Sequence, residues 1–136
     1  QTLGIGDRLR FCGQVEDAGR YFTSFDVFVM SSHTEGAPIV LFEAMAAEVP
    51  VVATAVGGIP EIAGAGEATL VTPGDAAALA GAIDTLLADP ERSRAQTRAA
   101  AQTLRAQYSA DRWLAEYETL YRRLRAQNRN SRETVS

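Results

Sequence analysis

Glu35 and Glu43 bracket the segment EGAPIVLFE, in which a Gly-Ala-Pro turn leads into an apolar run, and two carboxylates so placed could grip hydroxyl groups of a ligand. Glu43 stands among Ile39, Val40, Leu41, Phe42, Ala44, Met45, Ala46 and Ala47. A helix of that composition is apolar on nearly every face, so an ionised carboxylate inside it is expected to need a partner. A ligand could be that partner. Pro38 suits the first helical position because it has no N–H to lose there, so the helix is predicted to start at Pro38, with Gly36 and Ala37 as its tight entry. The amides of Ile39 and Val40 then point out of a helix N-terminus, an end that favours phosphate. At about 1.5 Å of rise per residue, Glu43 lies roughly 7 Å further along the helix. That separation is comparable with the one between a pyrophosphate and a ribose diol, and a carboxylate can hold a diol with two hydrogen bonds. Glu35, outside the helix, is free to reach another hydroxyl-rich group. The same residues also admit a plain reading, with one glutamate favoured by the helix dipole and the other salt-bridged inside the protein.

Elements that would position these groups can be read along the chain. Arg8 to Cys12 and Asp26 to Met30 read as short strands, and Val51 to Thr54 and Thr69 to Val71 as further apolar runs bounded by Gly and Pro. Helices are expected at Asp17 to Phe25, Pro38 to Ala47, near Ile59 to Ala63, and at Ala76 to Ala88. Alternating strand and helix predicts βαβ units, hence an α/β fold in three layers with a parallel sheet between helices. In such sheets ligands bind at the carboxyl ends of the strands, where the loop Ser31 to Ala37 follows the strand ending at Met30. Beyond Asp89-Pro90 only helices are expected. Ala95 to Tyr108 is rich in Ala and Arg, and Ser109 caps a last helix whose Trp113, Tyr117, Leu120, Tyr121 and Leu124 fall on one stripe. Residues 1–125 are read as one domain and 126–136, a polar segment, as a disordered tail.

Composition excludes several classes. The net charge of -4 argues against nucleic acid as a partner, and all 13 basic residues are arginine, which removes lysine as a Schiff base or phosphate ligand. One cysteine, Cys12, and one histidine, His33, allow neither an intrachain disulfide nor a multi-histidine metal centre. Cys12 reads as a small core side chain. Nothing resembles a signal peptide, an apolar span or a basic amphipathic patch, so the expected location is the cytoplasm. Gly57 and Gly58, in AVGGIPEI, form either a loop for phosphate or sugar or a plain turn. Gly13 could let a flat ring approach the backbone, or could simply end a strand. His33 flanks the proposed pocket and could donate to an oxygen of the ligand.

Taken together, SHTEGAPIVLFEAMAAEVPVVATAVGGIPEI, from Ser32 through Ile62, resembles the donor-binding signature of the retaining glycosyltransferases of family four, which have the two-domain GT-B fold. The likeness extends to RLRFCGQV and DVFVMSS before it and to LVTPGDAAALAGAIDTLLADPERSRAQ after it. The resemblance implies that Glu43 binds the ribose hydroxyls of a nucleotide diphosphate sugar and that Glu35, as the catalytic glutamate, contacts the transferred sugar near the reacting centre. Backbone at Gly36, Ala37, Ile39 and Val40 would hold sugar hydroxyls and the pyrophosphate, and backbone at Gly13, Gln14 and Val15 would meet the nucleobase. It also implies retention of the donor's anomeric configuration without a metal or other cofactor.

Glu48 departs from the family, which usually has glycine there, so the helix end must take a left-handed residue or close differently. By the same resemblance the chain starts in the middle of a donor domain, and the acceptor domain and the phosphate-binding Arg and Lys are expected upstream of it. It is therefore read as the donor-binding part of a larger enzyme, inactive alone. The alternative is a non-catalytic nucleotide-sugar-binding module or accessory subunit. The aromatic stripe of the last helix is expected to be exposed, and a homo-dimer through that helix or through exchanged elements is expected.

Overall fold

The computed structural model describes residues 4–133, with side chains through residue 127. Three short strands, β1 (Phe28–Met30), β2 (Val51–Thr54) and β3 (Thr69–Val71), pair in parallel in that order. The register sets Met30, Ala53 and Leu70 in one row across the sheet. Side chains alternate between faces along a strand. Val51 and Ala53 accordingly enter one apolar cluster while Val52 enters another on the opposite face.

Each face has its own cover. The crossover helices α1 (Ile39–Ala46) and α2 (Ile59–Ile62) bring Leu41, Ala44, Met45, Ile59 and Ile62 to the first face. Two crossovers stepping in the same direction with the same hand must lie on the same side. The other face is covered by α3 (Ala76–Ala88) through Leu79, Ala82, Ile83 and Leu86. Asp75 starts α3 by accepting a hydrogen bond from the Ala78 amide at 2.8 Å. The result is the expected α/β arrangement of a parallel sheet between helical layers.

A further helix, α4 (Pro90–Gln107), starts with Asp89 as cap and Pro90 in its first turn, and returns to the first face, where Ala100 and Leu104 join the cluster. On the way it passes the amino ends of the strands. There the buried Gln96 accepts from the Val51 amide at 2.8 Å and donates to the Thr69 hydroxyl at 3.0 Å, tying the starts of β2 and β3 together. Both ends of this amide are satisfied, so its burial is stabilising.

Three local expectations are corrected. Arg8 to Cys12 is not a strand: a 3-10 turn at Gly6–Arg8 is followed by irregular backbone, and Phe11 is 89% exposed. A strand needs a ladder, and among the described residues nothing pairs with this segment. Cys12 is correspondingly exposed rather than part of the core. The helix expected at Asp17 to Phe25 is a 3-10 helix, Ala18–Ser24, held to the core by Phe22. The last helix, α5, spans Ala110–Glu133, and residues 134–136, the end of the polar segment 126–136, lie outside the described range.

Candidate functional site

At the carboxyl ends of the strands two loops meet backbone to backbone. The Gly58 amide donates to the Gly36 carbonyl at 2.9 Å. Gly57 has φ +53, and a Cβ there would overlap the Glu35 carbonyl; a Cβ on Gly58 would stand 2.6 Å from the Gly36 carbonyl oxygen. The glycine pair therefore serves as a clamp on the Glu35 loop, a close approach that only residues without a side chain permit. A second anchor comes from β2. Thr54, buried at its end, donates from its hydroxyl to the Ser32 carbonyl at 2.6 Å. Ser32 in turn donates to Glu35 Oε1 at 2.6 Å, and Glu35 is half-buried.

The helix that follows begins one residue later than expected. Pro38 has φ -72 and ψ 118, an extended conformation, so it is the N-cap and Ile39 the first helical residue. Proline's ring holds φ but leaves ψ free, and Ala37 ahead of it is biased away from helix. The correction leaves the amides of Ile39 and Val40 in the first turn, where an α-helix has no internal acceptors for them. At the other end Glu48 takes the left-handed conformation at φ 55, with its amide on Met45 and that of Val49 on Ala44, so the helix closes as it would on glycine.

Glu43 is not buried. Leu41, Ala44 and Met45 face the core, whereas Ile39, at 74% exposure, Glu43 and Ala46 form the solvent stripe of α1. Seen from the composition alone every face looked buried, but α1 packs only on the sheet side and against α4 and the 3-10 helix. The carboxylate makes no ion pair or hydrogen bond among the described residues, which also removes the reading of an internal salt bridge. Its Oε1 lies 4.0 Å from where a Cβ on Gly19 would stand, so it faces the 3-10 helix that follows Gly13, Gln14 and Val15. Those three residues are exposed, and Gly13 turns the chain with φ +64 in open space.

Beside the Glu35 loop a cavity of about 250 Å³ is lined by Ser31, His33, Thr54, Asp75 and Leu79, among others. His33 is exposed on its rim. The structure thus brings together the Glu35 loop, the α1 N-terminus and the Gly57-Gly58 loop, with Glu43 on the adjacent face. Sequence reasoning missed Ser32 and Thr54 as supports. A hydroxyl three residues before Glu35 and another ending β2 were the available signals. Among the described residues no three His, Cys, Asp or Glu side chains gather in a metal-binding group, and no helix is long and apolar enough to cross a membrane.

The Glu35 and Gly57-Gly58 loops and the start of α1 gather at the carboxyl ends of a parallel sheet, the edge at which α/β proteins of this class carry their sites. The family described as Glycosyl transferases group 1 matches residues 1–103, and the chain belongs to that family. It is 33% identical over 122 residues to N-acetyl-alpha-D-glucosaminyl L-malate synthase of Bacillus anthracis, a match covering 89% of this chain and 32% of that protein. Among solved structures, sucrose-phosphate synthase from Thermosynechococcus elongatus matches with a TM-score of 0.83 at 35% identity, over 91% of this chain and 32% of the other. HepE of Anabaena, solved in complex with UDP, matches with a TM-score of 0.76 at 26% identity, over 85% of this chain and 33% of the other. The architecture is that of part of the C-terminal domain of a GT-B glycosyltransferase. The chain spans about a third of the length of these relatives.

Proposed function

We propose that this chain is the donor-binding part of a retaining glycosyltransferase that moves a sugar from a nucleotide diphosphate sugar to a hydroxyl acceptor. The observation that carries the proposal is the clamped Glu35 loop at the open N-terminus of α1, with an unpartnered Glu43 on the same helix. In this reading Glu43 holds the ribose diol and Glu35 the transferred sugar. Backbone at Gly36, Ala37, Ile39 and Val40 takes the sugar hydroxyls and pyrophosphate, and Gly13, Gln14 and Val15 border the base. The HepE relative, solved in complex with UDP, supports a nucleotide as the ligand.

The chemistry asked of this part is modest. As the sugar–phosphate bond breaks, negative charge grows on the leaving diphosphate. The α1 amides and helix dipole stabilise that charge without a metal in this reading. Glu35 orients the sugar for attack, a positioning effect that makes reaction effectively unimolecular. In this reading the cationic phosphate ligands belong to the first part of the donor domain and the acceptor site to a domain further upstream, so the isolated chain binds donor weakly and turns over little or nothing.

The test is titration of the chain with uridine, guanosine and adenosine diphosphate sugars, followed by ligand-observed NMR. Binding with a base preference that disappears in Glu43→Ala supports the reading; binding that survives this change counts against it. The apolar stripe exposed along α5 supports a further part of the reading, in which two copies of the chain associate through this helix.

A further inference from the structure

We propose that Ser32 is a positioning residue for Glu35, locked in place by Thr54, and that it decides which carboxylate oxygen is offered to the sugar. The proposal rests on the reading of Glu35 as the sugar-contacting group.

Three anchors act on this loop, and they do different things. The Gly57-Gly58 clamp acts on the backbone at Glu35 and Gly36. The Thr54 hydroxyl, on a side chain fixed by burial at the end of β2, holds the backbone at Ser32. Only the Ser32 hydroxyl reaches the Glu35 carboxylate, at 2.6 Å to Oε1. An ionised carboxylate only accepts, so the serine proton must point toward it. A hydrogen bond of this kind to a charged oxygen is short and stronger than a neutral one. Among the described residues no arginine or histidine pairs with Glu35, and Oε2 is left as the acceptor for a ligand hydroxyl.

With the backbone fixed at both ends, loss of the serine hydroxyl leaves the loop in place and frees the glutamate side chain to sample other rotamers. A ligand would then have to order it on binding. The cost falls on the sugar alone, because the nucleotide is held by other groups.

Two measurements on the labelled chain test this. Side-chain couplings of Glu35, read by NMR without ligand, are expected to show one rotamer in the parent and in Ser32→Thr, and averaging in Ser32→Ala. In parallel, titrations with UDP and with UDP-glucose are expected to leave UDP affinity within twofold in Ser32→Ala while the gain from the attached sugar falls by about tenfold, with Ser32→Thr restoring it. Glu35 rotamers that do not change in Ser32→Ala overturn the proposal whatever the ligands do. Equal losses for UDP and UDP-glucose also overturn it, since they report a general structural role. A parent chain that binds neither ligand leaves the donor reading to the guanosine and adenosine titrations, and the ligand-free couplings still decide the role of Ser32.

Discussion

A carboxylate on the exposed stripe of an eight-residue helix contributes little to stability, so Glu43 can be altered without disturbing the fold. Glu43→Gln is expected to leave the unfolding free energy within about 0.5 kcal/mol and to weaken nucleotide binding by about tenfold or more, checked by thermal melts and calorimetric titration. Glu48 is the opposite case. It occupies the left-handed position that closes α1, where a side chain is strained and glycine is not. Its ion pair with Arg105, at 3.6 Å between exposed groups, returns little of that cost. Glu48→Gly is therefore expected to stabilise the chain by about 1 kcal/mol, measured by urea unfolding. A left-handed residue at Glu48 was one of two helix endings left open by the family resemblance, in which glycine is usual at this place. The exposure of Glu43 could not be read from the sequence, because its neighbours there are all apolar and only the packing partners of α1 determine which of them are covered.

At the level of elements, the two loops behave as one unit. Gly57→Ala is expected to destabilise the chain by about 2 kcal/mol or more, since it meets both an unfavourable φ and the Glu35 carbonyl. Gly66→Ala, where an added Cβ meets nothing within 4 Å, is the control and should be close to neutral. Both are read by denaturant unfolding, and amide shifts of residues 32–36 should move in the first and not in the second. Gln96 makes a matching prediction at the other end of the strands. Gln96→Leu orphans the buried Val51 amide and should cost about 1–3 kcal/mol, again by urea unfolding. Strands β2 and β3 were legible as apolar runs bounded by glycine and proline, and α3 as the helix expected at Ala76 to Ala88. The tie made by Gln96 was not, because one of three glutamines in an Ala- and Arg-rich helix carries no local sign of what it will meet.

Among the described residues a three-stranded sheet covered on both faces is followed by a long helix, α5. Trp113 is 57% exposed, and with Tyr117, Leu120, Tyr121 and Leu124 it forms an apolar stripe along α5 that the described residues leave open. Such a stripe favours association. The chain is expected to show a concentration-dependent rise in mass by light scattering, and a double change, Trp113→Ser with Tyr117→Ser, should abolish the rise. A mass that stays monomeric at high concentration would count against association through α5.

Periodicity, caps and turn residues determined the order of the elements and their parallel α/β arrangement, because these depend on neighbours within a few residues, and the motif from Ser32 through Ile62 carried the family resemblance. The tertiary structure decided the rest. It left Arg8 to Cys12 without a strand partner, turned Glu43 to solvent, made Gly57 and Gly58 a clamp for the Glu35 loop, and placed Ser32 on the Glu35 carboxylate. Each of these depends on contacts between distant segments, and burial, hydrogen-bond partners and close backbone approach exist only once those segments have met.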